Sequence, residues 1–276
     1  MSATDAILDL VILVLIALVP ALIYLAWVRR TERYATTSWG PILGAFAYGA
    51  FFATIVAAIL EAIIVGLGTS VSTQYTGPEF LFLNGNSTLG AFFLVLVVAP
   101  FVEEALKASG VYAYRDRIRL VADGPVFGAS VGLGFGFFET FLYGLSAYLV
   151  GGLVAGIALI AVRSVSSVLL HGSSTGMFGY GYARSRLGLP GAGSGSYYLL
   201  AVLMHASFNA LASLAALLMV FGIGGVAVSL ASVVALLAAI TFAFAAIEHV
   251  RHVIAMTDYP ALLPAGAGRR PPAARR

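Results

Sequence analysis

Long apolar runs separated by short polar connections dominate this chain. A helix of about 20 apolar residues crosses the ~30 Å hydrocarbon core of a bilayer. Seven such windows are read: 6–28, 41–67, 89–113, 124–149, 152–182, 197–220 and 223–248. The fold class predicted is all-α, a polytopic membrane helical bundle of about seven transmembrane helices. Arg163 and His171 fall inside the fifth window, which marks it as tilted, broken or partly outside the lipid. One membrane-embedded domain is expected over 1–258. Residues 259–276, rich in Pro, Ala, Gly and Arg, read as a disordered basic tail near the anionic inner leaflet.

Composition sharpens that picture. Of 276 residues, 61% are hydrophobic and 10% charged, against about a quarter charged in a soluble domain. Mean hydropathy is +0.99. An integral protein of the cell membrane is the consequence. Cysteine is absent, which excludes disulfides, thiolate metal sites and cysteine nucleophiles. Thirty-one glycines suit close helix–helix contacts in lipid. No cleavable signal is expected, because the first apolar run is long enough to span.

The placement of charge says more than its sum. Arg29, Arg30 and Arg33 occupy the first connection, Arg115, Arg117 and Arg119 the third, Arg184 and Arg186 the fifth, and Arg251 opens the tail. The second, fourth and sixth connections hold no Lys or Arg. This alternation predicts the amino terminus outside and the carboxyl terminus in the cytoplasm. The second connection, 68–88, is the largest outer loop and contains a glycosylation-type sequon at Asn86-Ser87-Thr88.

Against this apolar background a few polar residues stand out. Glu103 and Glu104 lie side by side in the third window, where one ionised carboxylate at the bilayer centre costs about 2.5–3.5 kcal/mol or more. Lys107 is four residues from Glu103 and three from Glu104, so either pair can meet on one helix face. A lysine there can hold one carboxylate ionised and leave the other to take a proton from water, as a hydrolytic general base must. An ion pair that only locks helices together would need one glutamate rather than two. Glu139 stands in the fourth window; counted from the window ends, it comes out nearer the outer half than the other acids. Arg163 and His171 are eight apart, about two helical turns, in the fifth, and Arg163 is expected to answer one of the glutamates. In the sixth, His205 and Asn209 are four apart and share a face, two donors able to hold a developing oxyanion or to brace a helix contact.

Taken together, Glu103-Glu104-x-x-Lys107, Gly134-Phe135-x-x-x-Glu139, an arginine before His171 with Thr175-Gly176 after it, and His205-Ala206-x-x-Asn209 resemble the PrsW family of intramembrane proteases. That family is grouped with the CAAX prenyl proteases and bacteriocin-processing membrane proteins. The similarity covers about 89–212, the expected catalytic core. It implies a glutamate-dependent intramembrane endopeptidase acting on a membrane-anchored protein, with the bilayer as its other partner and no nucleic acid. By position, Glu103 is the general base and Glu104 its paired neighbour, His171 orients the water or a metal, and His205 with Asn209 stabilises the oxyanion. Lys107, Glu139 and Arg163 support them. Thr140 stands where members of the family often carry asparagine. The chain has no His-Glu-x-x-His pair, yet Glu103, His171 and His205 can supply the three protein ligands of a catalytic zinc.

Other classes compete with the protease. A proton- or cation-coupled transporter would use the same buried acids and histidines, but no inverted repeat is evident. A seven-helix retinal protein needs a lysine in its last helix, whereas the chain's one lysine, Lys107, lies beside two acids in the third window. A non-catalytic membrane scaffold is the remaining alternative.

Overall fold

A computed structural model of the protein describes residues 3–34, 37–74, 83–85 and 87–258. Residues 75–82 of the outer loop, Asn86 of the sequon and the tail 259–276 lie outside the described residues. Every regular element among the described residues is helical, as lipid requires of a chain that must satisfy its own backbone groups.

The chain opens with α1 (Ala3–Arg29). Helices α2 (Trp39–Ala47) and α3 (Thr54–Gln74) form one continuous 36-residue stretch through a wide turn at Tyr48–Ala53. Helices α4 (Thr88–Phe93) and α5 (Ala99–Ala113) are joined by another wide turn at Leu94–Val98. Pro100 follows that turn; it has no N–H to donate to the preceding one, which favours local widening of the helix.

Next come α6 (Asp123–Ser164) and α7 (Ser167–Arg186). Together they run for 64 residues, roughly 96 Å at 1.5 Å per residue and about three bilayer cores long. The stretch cannot cross once. It folds back at Gly152, whose φ of 76° is open to glycine and strained for other residues. A second break at Val165–Ser166 separates Arg163 from His171, so the fifth crossing is indeed broken. The chain ends with α8 (Ser194–Ala212), α9 (Leu214–Val220) and α10 (Val226–Thr257).

Among the described residues, five stretches are long and apolar enough to cross a membrane, and α8–α9, bent by 62°, makes a sixth. Because Asp123–Arg186 is a hairpin of two legs, this agrees with about seven crossings.

Glycines bring the hairpin legs into backbone contact. A Cβ on Gly124, Gly128 or Gly132 would lie 2.2, 2.2 and 2.0 Å from the carbonyl oxygens of Gly179, Thr175 and His171. Recurring every four residues, they make one bare stripe on α6. Gly49 and Gly134 do the same between the α2–α3 helix and α6, against the carbonyls of Val131 and Phe46, both at 1.9 Å. Outside this centre, α1 buries Leu13, Ala17, Ala21 and Leu25, and α10 buries Ala235, Ala239, Ala243 and Ile247. Both sets follow the same four-residue step, and all but Ala235 join one core with the hairpin. At one end of the bundle Asp258 accepts from the backbone N–H groups of Arg33 and Tyr34, tying the end of α10 to the first connection.

Candidate active site

The wide turn and Pro100 deliver α5 with one face turned wholly inward. Glu103, Glu104 and Lys107 are all buried on it, and Lys107 is fully inaccessible. Such a lysine must be paired, and it is. Its Nζ lies 2.7 Å from Glu104 Oε1, 2.8 Å from His171 Nδ1 and 3.7 Å from Glu103 Oε2, with the Phe135 ring 4.5 Å away.

The adjacent glutamates have opposite surroundings. Glu104 is heavily engaged: beyond Lys107, its Oε1 accepts from Ser174 Oγ (3.0 Å) and meets His205 Nδ1 (3.1 Å). Its Oε2 accepts from Thr175 Oγ1 at 3.4 Å. Glu103 Oε2 is buried and has no hydrogen-bond partner. It lies 3.9 Å from His171 Nδ1 and 3.9 Å from His205 Nε2.

Glu139 enters from α6 and meets two residues that flank the break. Its Oε2 accepts from Arg163 Nη2 (2.7 Å) and lies 2.8 Å from His171 Nε2. Counting from the window ends sets Glu139 apart from the other acids, nearer the outer half; α6 does not start later than the window, and the contacts of Glu139 with His171 and Arg163 bring it into the same cluster. Arg163 does answer a glutamate, and it stacks 4.0 Å from the Tyr143 ring.

Each imidazole is thus held on one nitrogen by a carboxylate, His171 by Glu139 and His205 by Glu104, while the other nitrogen faces Glu103. The two rings meet edge to face at 4.9 Å. Beside them is a cavity of about 410 Å³ lined by Glu61, Glu103, Glu139, Arg163, His171 and Asn209, among others. Glu104, Lys107 and His205 are not on its wall and stand behind it.

Asn209 makes the bracing contact that was the alternative to an oxyanion donor, while Glu61 has no part in the sequence reading. Asn209 lies on the cavity wall, but its amide donates to the Val95 carbonyl at 2.8 Å, bracing the wide turn ahead of α5. His205 and Asn209 share a helix face yet serve different partners. Glu61 on α3 also lines the cavity, with Oε1 buried and free of hydrogen bonds. Its signal was available: it is the one acid in the 41–67 window, and an ionisable residue at bilayer depth is a functional candidate by default.

Donor atoms of Glu103, His171 and His205 lie within 4.8 Å of one another. Two imidazoles and a carboxylate suit zinc in kind, and a carboxylate on the far nitrogen of each histidine is the usual outer support of such ligands. Buried Glu103 Oε2, otherwise unpartnered, fits the same role. Lys107 is the competing neighbour, since its Nζ already holds His171 Nδ1.

The helical bundle thus encloses paired acids and two imidazoles beside a cavity. A family model described as PrsW family intramembrane metalloprotease matches residues 37–243, most of the chain, and the protein belongs to that family. It is an intramembrane protease. The match reaches beyond 89–212 and takes in the helix carrying Glu61. Comparison with curated proteins and with solved structures returned no match.

Proposed function

We propose that the protein hydrolyses a peptide bond of a membrane-anchored protein, using Glu103 to take the proton of the attacking water. One observation carries this reading. Glu103 Oε2 makes no hydrogen bond and lies between two imidazole nitrogens, each 3.9 Å away, with Lys107 Nζ at 3.7 Å, beside a polar cavity within the bundle. A base must keep acceptor capacity free for a proton, and Glu104, whose Oε1 alone has Lys107, Ser174 and His205 within 3.1 Å, is far more heavily engaged than Glu103.

Roles for the neighbours follow from their contacts. Glu104 anchors His205 and balances the charge of Lys107. Glu139 orients His171 and is itself fixed by Arg163. Asn209 positions the turn that delivers α5. Alternatively, Glu103, His171 and His205 would together hold a divalent cation such as zinc; Glu103 would then be a ligand rather than the base, and the cation would supply Lewis acidity to the water and the scissile carbonyl. The basic connections favour an amino terminus outside and a carboxyl terminus in the cytoplasm.

The test is co-expression with candidate membrane-anchored substrates. Glu103→Ala and His171→Ala are expected to abolish cleavage while the protein stays folded and inserted. Full cleavage by either variant rejects the assignment.

A further inference from the structure

A second cavity, of about 320 Å³, adjoins the polar one. The two share Tyr143, Arg163, Ser167, Phe208 and Ala212, so Arg163 stands at their junction. Its character is different. Leu159, Leu211, Ala215, Leu236 and Ala239 make most of the remaining wall, contributed by the returning leg of α6, by α8–α9 and by α10. The serine hydroxyls there are committed: Ser166 donates to the Val162 carbonyl (2.8 Å) and Ser232 to the Val228 carbonyl (2.7 Å). Ser167 accepts from Arg163 at 2.9 Å. Away from Arg163 and Tyr143 at the junction, the wall therefore presents mainly carbon, and its alanines leave the space open.

We propose that this second cavity is a specificity subsite that takes an aliphatic side chain of the substrate, beside the bond cleaved in the polar cavity. The inference rests on the protease reading of that cavity. A membrane-anchored substrate reaches a buried site from the lipid, and its flanking residues are apolar. An extended strand lying across the Arg163 junction turns successive side chains to opposite sides, so one of them faces the alanine-lined space. Its volume is that of a ligand pocket at the small end of the usual range, enough for one leucine-sized or phenylalanine-sized group. Ala239 and Leu159 then set the upper size of that side chain.

The experiment uses the full-length protein and a library of single-span reporter proteins with a randomised window in the membrane segment. Cleaved bonds are read by sequencing the released fragments. Wild type is expected to select Leu, Ile, Met or Phe at one position flanking the cut. Ala239→Leu is expected to shift that position toward Ala and Gly, with aliphatic substrates disfavoured roughly tenfold or more, the scale of a few methylenes in an apolar pocket. Leu159→Ala, which enlarges the cavity without crowding it, is expected to admit larger aromatic groups, and it serves if Ala239→Leu fails to fold. An unchanged preference in a folded, active Leu159→Ala or Ala239→Leu variant overturns the subsite. Release of no fragment by wild type overturns the protease reading itself. Glu103→Ala gives the background for both.

Discussion

Adjacent acids on α5 are expected to fail in opposite ways. In Glu104→Gln the carboxylate that meets Lys107 at 2.7 Å, His205 at 3.1 Å and Ser174 at 3.0 Å loses its charge in a fully buried place. Breaking a buried pair by removing one partner costs about 3–5 kcal/mol, because the other charge stays behind. Here that charge is Lys107, which has no access to water. Its next carboxylate is Glu103, 3.7 Å away, which recovers part of the loss. A net destabilisation of roughly 2–4 kcal/mol is the result, at the lower side of the buried-pair range. Glu103→Gln is different. Glu103 Oε2 has no hydrogen bond to lose, and giving up its longer contact with Lys107 is offset by removing a buried charge, so stability should stay within roughly 1 kcal/mol. Unfolding of the purified proteins, followed by circular dichroism, gives stability, and co-expressed reporters give cleavage. The expected pattern is a stable, inactive Glu103→Gln and an unstable Glu104→Gln. Equal stability of the two variants, or a larger loss in Glu103→Gln, would refute the division of labour.

Further outcomes follow from the same geometry. If Glu103, His171 and His205 hold a cation, purified wild type retains zinc and His205→Ala does not, as elemental analysis would read. Glu139→Gln, which weakens the support of His171, should then lower zinc affinity about 10- to 100-fold with the ligands intact. Glu61→Ala should reduce cleavage without lowering thermal stability, since Oε1 makes no hydrogen bond; cleavage at the wild-type rate would remove Glu61 from the reaction. Gly132→Val should abolish folded protein, because even a Cβ would lie 2.0 Å from the His171 carbonyl oxygen. A well-folded Gly132→Val on size-exclusion chromatography would argue against the close hairpin.

Much of this protein was legible along the chain because lipid constrains a sequence so strongly. A backbone in hydrocarbon must be helical, and a helix that crosses must be apolar for about 20 residues. The crossings could therefore be read before any fold was known. For the same reason, Glu103, Glu104, Lys107, Glu139, Arg163, His171 and His205 stood out as residues too costly to leave unpaired. The pairings were another matter. That Glu139 takes His171 and Arg163, that Glu104 takes His205 and leaves Glu103 free, and that Asn209 turns to Val95 all depend on helix rotation and depth. Those are set by glycine contacts between segments far apart in sequence and by breaks at Gly152 and Val165–Ser166. Spacing along one helix says which side chains share its face; only the packing of the next helix says what they meet there.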